Sequence, residues 1–341
     1  MADAVGPPTA KTEATMSHAW AQVLKLDPLP ALLAPGDEAR AYCVRRDLLG
    51  EALGPVEALW QLPAARRLVA AQGDDGAWPY PGARPDAIAN YDLVETYRSL
   101  RLLVDMYGCD RRHPAIERAA AYVFSCQSPE GDIRGILGPQ YMPYYHGAIL
   151  ELLVKAGYEE DTRVVRGLEW LLSMRQEDGG WIVPVQAVAA SERTQALWRG
   201  APVPPDRARP SAHLATGMAL RALAAHPRYR SRPEAQAAGA LLKGRFFRAD
   251  CYNDRKAPAY WLKFQYPFWW TNLLTALDTL SLLGFAPDDR DIGRGLAWFL
   301  ENQQADGLWP TSYDKGKQAA AARSWVGLAA CRVLQRFYPG R

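Results

Sequence analysis

An all-α fold is what this sequence predicts, and three observations carry it. Apolar residues recur at helical spacing through most apolar runs, as Val165, Leu168 and Leu172 do in one and Ile292, Leu296 and Phe299 in another. These runs come in pairs that return at roughly 50-residue intervals, the mark of a repeated helical hairpin. Convincing strand alternation is almost absent.

The elements follow in order. The N-terminus, MADAVGPPTAKTEATMSHAW, lacks the apolar core of a signal peptide and predicts a flexible Pro/Ala/Thr tail over 1–16. Segment 17–49 contains the helical runs SHAWAQVLKL and DEARAYCVRRDLL, which would supply one hairpin. Five clear hairpins follow. Their first helices are expected near 55–71, 114–126, 161–175, 233–249 and 288–303, and their second near 89–107, 144–156, 211–225, 267–283 and 317–337. A hairpin of this size cannot bury its apolar faces alone and must pack on its neighbours, so 17–341 reads as a single domain.

The turns inside the hairpins carry the repeat. SMRQEDGGWIVP and ENQQADGLWP align without a gap, pairing Arg166 with Arg294, Gly167 with Gly295, Trp170 with Trp298, Gln176 with Gln304, Asp178 with Asp306 and Trp181 with Trp309. VAAQGDDGAWPY keeps Gln72, Asp75, Gly76 and Trp78. FSCQSPEGDIRG keeps Gln127, Glu130 and Gly131 but has Ile133 at the Trp position. A copy around LLKGRFFRADCYND keeps the helix and loses the turn. Such a turn ends a helix at glycine, where positive φ costs least. Its Gln reaches exposed backbone groups of neighbouring helix ends, and its Trp covers the junction.

Bulk properties exclude several classes. Of 341 residues, 49% are hydrophobic and 23% charged, which suits a globular chain with a large core. A net charge of +3 without a dense Lys/Arg block argues against nucleic acid. No apolar run is long enough for a membrane span. The cysteines Cys43, Cys109, Cys126, Cys251 and Cys331 are odd in number and never spaced CxxC, which favours a reducing, cytoplasmic setting.

The stretches from Arg166-Gly-Leu-Glu-Trp170 to Trp181 and from Arg294-Gly-Leu-Ala-Trp298 to Trp309 resemble the QW repeats of the prenyltransferase and squalene–hopene cyclase superfamily. The resemblance covers about 55–341. It implies an α/α toroid, an inner ring of parallel helices within an outer one, around a central cavity. The inner-helix N-termini would then share one face suited to an anion such as a diphosphate or carboxylate. Two long loops, 182–210 and 251–266, lead to that face and read as lids.

Candidate site residues come from the expected inner-helix starts. Asp92, with apolar neighbours, is a candidate acid, and His146 and His213 are candidate bases. Tyr91, Tyr145, Trp198, Tyr266, Trp269, Trp270, Arg323 and Trp325 are candidate substrate contacts, because aromatic faces suit an isoprenoid or a carbocation derived from one. Each also has a plain alternative: a helix-start carboxylate bonded to backbone amides, or a ring in the core. The Asp-x-Asp-Asp acid that the resemblance to class II terpene cyclases would imply is absent, and Asp288-Asp289-Arg290-Asp291 starts an outer helix. Protein prenyltransferase β-subunits, single toroids that pair with a helical partner, hold zinc through an Asp-x-Cys pair and a later His. Here Asp250 directly precedes Cys251, and no His follows His226. No thioester run surrounds Cys109, and the carboxylates of Asp92 and Glu95 have no opposing helix for glycosidase chemistry.

The expected function is therefore a terpenoid cyclase-like or prenyl-substrate enzyme that binds an isoprenoid or other apolar small molecule in an aromatic cavity. No cofactor is expected, with zinc or magnesium as the alternatives to test. Two other readings stay open: a catalytically silent toroid that binds a lipid or helical protein partner, and a zinc-dependent prenyltransferase β-subunit-like protein.

Overall fold

A computed structural model describes residues 19–84, 88–252, 254–311 and 316–339; the expected tail over 1–16 lies outside them. The fold class is the expected one, all-α and built of helical hairpins. Among the described residues only two isolated β-bridges form, Gln127 with Ile133 and Gly135 with Gly138. The longer helices are α1 Glu38–Asp47, α2 Pro63–Ala70, α3 Tyr91–Asp105, α4 Pro114–Ser125, α5 Pro143–Leu153, α6 Thr162–Ser173, α7 His213–Ala225, α8 Pro233–Lys243, α9 Leu273–Leu282, α10 Arg290–Glu301 and α11 Gly316–Phe337. No helix among the described residues is long and apolar enough to cross a membrane.

Proline explains where boundaries differ from expectation. The helix expected over 55–71 is split, because Leu62 before Pro63 is extended (φ −59°, ψ 140°); a 3-10 turn Val56–Gln61 precedes it and α2 starts at Pro63. The run SHAWAQVLKL forms only the single turn Ala19–Gln22 among its described residues. Pro28 cannot continue a helix there, and the amides of Lys25 and Leu26 donate instead to Gln303 Oε1 at 2.9 and 3.1 Å. Likewise α9 begins at Leu273 rather than near 267. Asn272 caps it by accepting from Thr275 N, which leaves Pro267–Trp270 as a non-helical strap.

The described residues fall into two compact units. The larger holds α2 to α9, within Gly54–Lys263 and Pro267–Gly284; the smaller holds α1, Phe264–Tyr266, α10 and α11. In the larger unit, burial separates inner helices from outer ones. All eleven residues of α5 and twelve of thirteen in α7 are buried, against five of twelve in α6. A helix buried all round belongs inside, whereas an apolar stripe marks an outer layer.

Helices α5 and α7 approach closely because Gly147 faces Ala219. A Cβ added at Gly147 would sit 2.6 Å from Ala219 Cα and 3.1 Å from Met218 O. Backbone cannot rotate away as a side chain can, so Gly147→Ala is expected to lose about 1–3 kcal/mol through overpacking. Chemical denaturation of the variant checks this; unchanged stability would show that the helices separate freely.

The Gln/Trp turns of the repeat behave as helix-end fasteners. Trp78, Trp181 and Trp309 each donate their indole N–H, at 2.7 Å, to the carbonyl ten residues earlier, on Leu68, Leu171 and Phe299. Gln72, Gln127 and Gln303 each donate to the turn carbonyl four residues on, and also to a carbonyl of another segment, on Ala115, Arg163 and Leu26 respectively. Gln303, not Gln304, therefore fills this role. In the SMRQEDGG copy Arg175 takes the place, donating to Gly179 O at 3.1 Å, while Gln176 reaches Asp206 O and Arg209 O. The copy that lost its turn is rescued from a distance: Trp261 donates to Arg248 O at 2.9 Å, and Phe247 adopts the positive φ (63°) usual for glycine.

Candidate functional site

Helix α3 sets Tyr97 and Arg101 one turn apart on a single face. Helix α5 brings Tyr144 and Tyr145 in its first turn, and the strap 267–270 brings Trp269 and Trp270. All belong to the larger unit. Tyr97 meets Tyr145 at 5.6 Å and Trp269 at 5.5 Å, both edge-on. Tyr144 and Tyr145 lie 4.8 Å apart, and Tyr145 is 6.3 Å from Trp269 and 6.1 Å from Trp270. The two indoles stack at 5.4 Å. Cations already lie over these rings: Arg101 is 4.5 Å and Arg98 5.2 Å from Trp269, and Arg255 is 4.1 Å from Trp270.

Two buried arginines hold the strap. Arg101 donates to Phe268 O at 2.8 Å and to Pro267 O, while Arg221 of α7 donates to Trp269 O at 2.9 Å and Phe268 O at 3.4 Å. Arg221 also pairs with Glu151 of α5, Nε to Oε2 at 2.6 Å. Lys155 joins Glu151 at 2.7 Å and Asp105 at 3.0 Å. Burial on its own would raise the Glu151 pKa, but the charges and hydrogen bonds of Arg221 and Lys155 win and hold it at about 2. Burial lowers Arg101, which has backbone carbonyls as direct partners, and pushes the Tyr145 phenol up to about 12.

Of the substrate contacts read from sequence, Tyr145, Trp269 and Trp270 come together. Tyr91 pairs with Tyr80 at 5.0 Å instead. Trp198 is half-buried in the short helix Gln195–Arg199. That loop is fastened rather than open: Gln140 donates to Leu197 O at 2.8 Å and accepts from Val203 N at 2.9 Å, and Arg207 donates to Arg175 O at 3.0 Å. Tyr266 and Trp325 stack face to face at 5.5 Å within the smaller unit. Arg323, also in that unit, donates to Asp306 at 2.7 Å and to Trp309 O at 3.1 Å, so it braces the turn that holds Trp309.

Asp92 and His146 have backbone duties, whereas the buried His213 Nδ1 has no hydrogen-bond partner and lies 3.5 Å from Asp250 Oδ1. Both Asp92 oxygens accept from Arg84 at 2.8 Å, and one also accepts from Tyr80 N. His146 is fully buried and uses both ring nitrogens: Nδ1 accepts from Ile133 N at 3.0 Å, and Nε2 lies 2.9 Å from Gly167 O. Burial drops its pKa to about 4, which leaves it neutral and without a nitrogen for a substrate. Burial likewise lowers His213 to about 4; its ring lies 4.5 Å from that of Trp261. Asp250 accepts from the amides of His213, Leu214 and Cys251 at 2.8, 2.9 and 2.8 Å, capping α7, and burial raises the Cys251 thiol. Among the described residues no group of three or more His, Cys, Asp or Glu side chains is placed to hold a metal ion.

Tyr97, Arg101, Glu151 and Arg221 were not among the sequence candidates. A signal existed for Glu151 and Arg221: a single charge inside an apolar helical run, as in AILELL and MALRALAA, is seldom buried without a partner. Tyr97 carries no such mark.

Residues 84–203 match the family model for the squalene-hopene cyclase C-terminal domain. The matched span includes Tyr97, Arg101, Tyr145 and Glu151. No curated protein matches the chain. Among solved structures, a ligand-free variant of the type II terpene cyclase MstE from Scytonema is 14% identical, covering 96% of this chain and 97% of that one, with a TM-score of 0.47. A second MstE variant, in complex with its product merosterolic acid A, is 16% identical over 96% of each chain, with a TM-score of 0.46. A protein from Actinoplanes is 18% identical over 83% of this chain and 87% of its own, with a TM-score of 0.42.

Proposed function

We propose that this chain is a terpenoid cyclase-like protein that takes an isoprenoid chain against the rings of Tyr97, Tyr144, Tyr145, Trp269 and Trp270. The observation that supports this best is the convergence of five rings from α3, α5 and the strap, with guanidinium groups resting on the indoles. Aromatic faces that attract a fixed cation would also attract positive charge developing along a bound polyene. The rings offer large apolar contact area at little conformational cost.

A second reading, binding without turnover, has its own observation. Asp92, His146 and Asp250 all spend their polar atoms on backbone amides, carbonyls or Arg84. A chain built this way would hold a lipid or a partner protein and leave it unchanged.

One experiment separates these readings. The protein is incubated with squalene, geranylgeraniol, and farnesyl and geranylgeranyl diphosphates; its melting temperature is followed and the extracts are analysed by mass spectrometry. At a hundredfold excess over Kd, a ligand of the folded state adds about 2.7 kcal/mol of stability. A rise together with a cyclised product supports the enzyme, and a rise with unchanged ligand supports the silent binder. A flat panel sinks the isoprenoid reading.

A further inference from the structure

Two polar atoms inside the aromatic cluster have no hydrogen-bond partner: the Tyr97 hydroxyl, on a side chain with 0% exposure, and the Trp269 indole N–H. Buried polar groups are normally paired, so each orphan calls for a reason. These two stand together. Their rings meet edge-on at 5.5 Å, and the Arg101 guanidinium lies 5.5 Å from the first ring and 4.5 Å from the second. The Trp269 indole also acts on the Tyr145 phenol, lowering a pKa that burial raises.

Neighbouring groups do not answer the need. Arg101 offers only donors, and it is engaged with the carbonyls of Pro267 and Phe268. Arg221 is likewise a donor, engaged with Glu151, Phe268 and Trp269. An indole N–H can only donate, and a phenol donates readily, so the complement to this pair is an acceptor. A carbonyl or carboxylate oxygen can take both hydrogen bonds, and the Arg101 charge beside it favours the negative end of such a group. A pure hydrocarbon satisfies neither donor and leaves both buried.

We propose that the ligand of the aromatic cluster has an oxygen head group, carbonyl or carboxylate, on its apolar chain, and that Tyr97 Oη and Trp269 Nε1 donate to it. This rests on the isoprenoid reading given above. The hydroxyl is closed off by its neighbours, so a side chain of the 267–270 strap must turn for an oxygen to reach it. Arg101 and Arg221 hold that strap through its main chain, which leaves the Trp269 side chain as the part that moves.

The test compares geranylgeranoic acid, geranylgeranial and their parent hydrocarbon as ligands of the wild-type protein, Tyr97→Phe and Trp269→Phe, by calorimetry. In the wild type, the acid or the aldehyde is expected to bind at least about tenfold tighter than the hydrocarbon, the worth of a good hydrogen bond. A preference for the acid over the aldehyde assigns the site to carboxylate, and the reverse assigns it to carbonyl. Affinity for the hydrocarbon is the internal reference for each variant, and the ratio of oxygenated-ligand to hydrocarbon affinity is expected to shrink by about tenfold. Tyr97→Phe should also melt no lower than the wild type, because it removes an unpaired buried hydroxyl. Equal affinity for hydrocarbon and oxygenated ligand in the wild type overturns the proposal and leaves isoprenoid binding intact. A preference that survives in both variants also overturns it and points to an internal water at these atoms. Binding of none of the three removes the isoprenoid reading, and this proposal with it.

Discussion

Replacing Glu151 with glutamine is expected to cost about 3–5 kcal/mol of folding stability, because it leaves Arg221 buried without its counter-charge. Glu151 and Arg221 join α5 to α7 in a water-excluded interior, with 2% and 3% exposure. The same residue predicts a pH dependence. Its carboxyl has a folded-state pKa of about 2 against a reference of 4.5. A depressed carboxylate lends stability in full above its unfolded value and loses it as pH falls toward the folded one. The wild type should therefore lose stability as pH falls from about 5 toward the folded-state value, by roughly 1 kcal/mol per pH unit for this group. Glu151→Gln should show a shallower slope in that window when urea midpoints are followed against pH. Parallel slopes would mean that Glu151 is not the group being titrated. The double variant Glu151→Gln with Arg221→Met should regain part of the loss, since it removes the unpaired charge but also the bonds to Phe268 and Trp269.

Trp181→Ala is the second large effect, expected at about 3–5 kcal/mol from the cavity alone. Trp181 is 0% exposed. It donates from its indole to Leu171 O at 2.7 Å, and its backbone amide donates to Thr216 Oγ1 at 3.0 Å, linking the end of α6 to α7. In a unit of this size the melting temperature should fall by roughly 10 °C. Trp181→Phe should fall less, because it keeps much of the buried area and loses chiefly the indole bond. If alanine and phenylalanine behave alike, the packing account fails and the hydrogen bond dominates.

The helices were legible because their signals are local. The spacing of Ile292, Leu296 and Phe299 follows from 3.6 residues per turn, and the pairing of Trp181 with Trp309 shows in any self-alignment. The role of the repeated Gln/Trp turn was legible in kind, since a helix end must satisfy its carbonyls somewhere. Which Gln does so was less plain. Gln303 and Gln304 are adjacent, and only the four-residue reach to Gly307 O selects the first. The acid and base candidates were drawn from residues at helix starts, and helix starts are also where carboxylates and imidazoles serve as caps. Asp250, read from sequence as a zinc alternative, likewise accepts three backbone amides and caps α7.

By itself the sequence determined the all-α class, the hairpin repeat and the aromatic richness of the inner-helix starts, because periodicity and turn chemistry act over a few residues. Tertiary structure alone decided which rings meet. Arg101 reaches Phe268 across 167 residues of chain, and no local pattern encodes that contact. It arises because two buried guanidiniums must find acceptors, and the strap before α9 offers main-chain carbonyls that no helix has claimed.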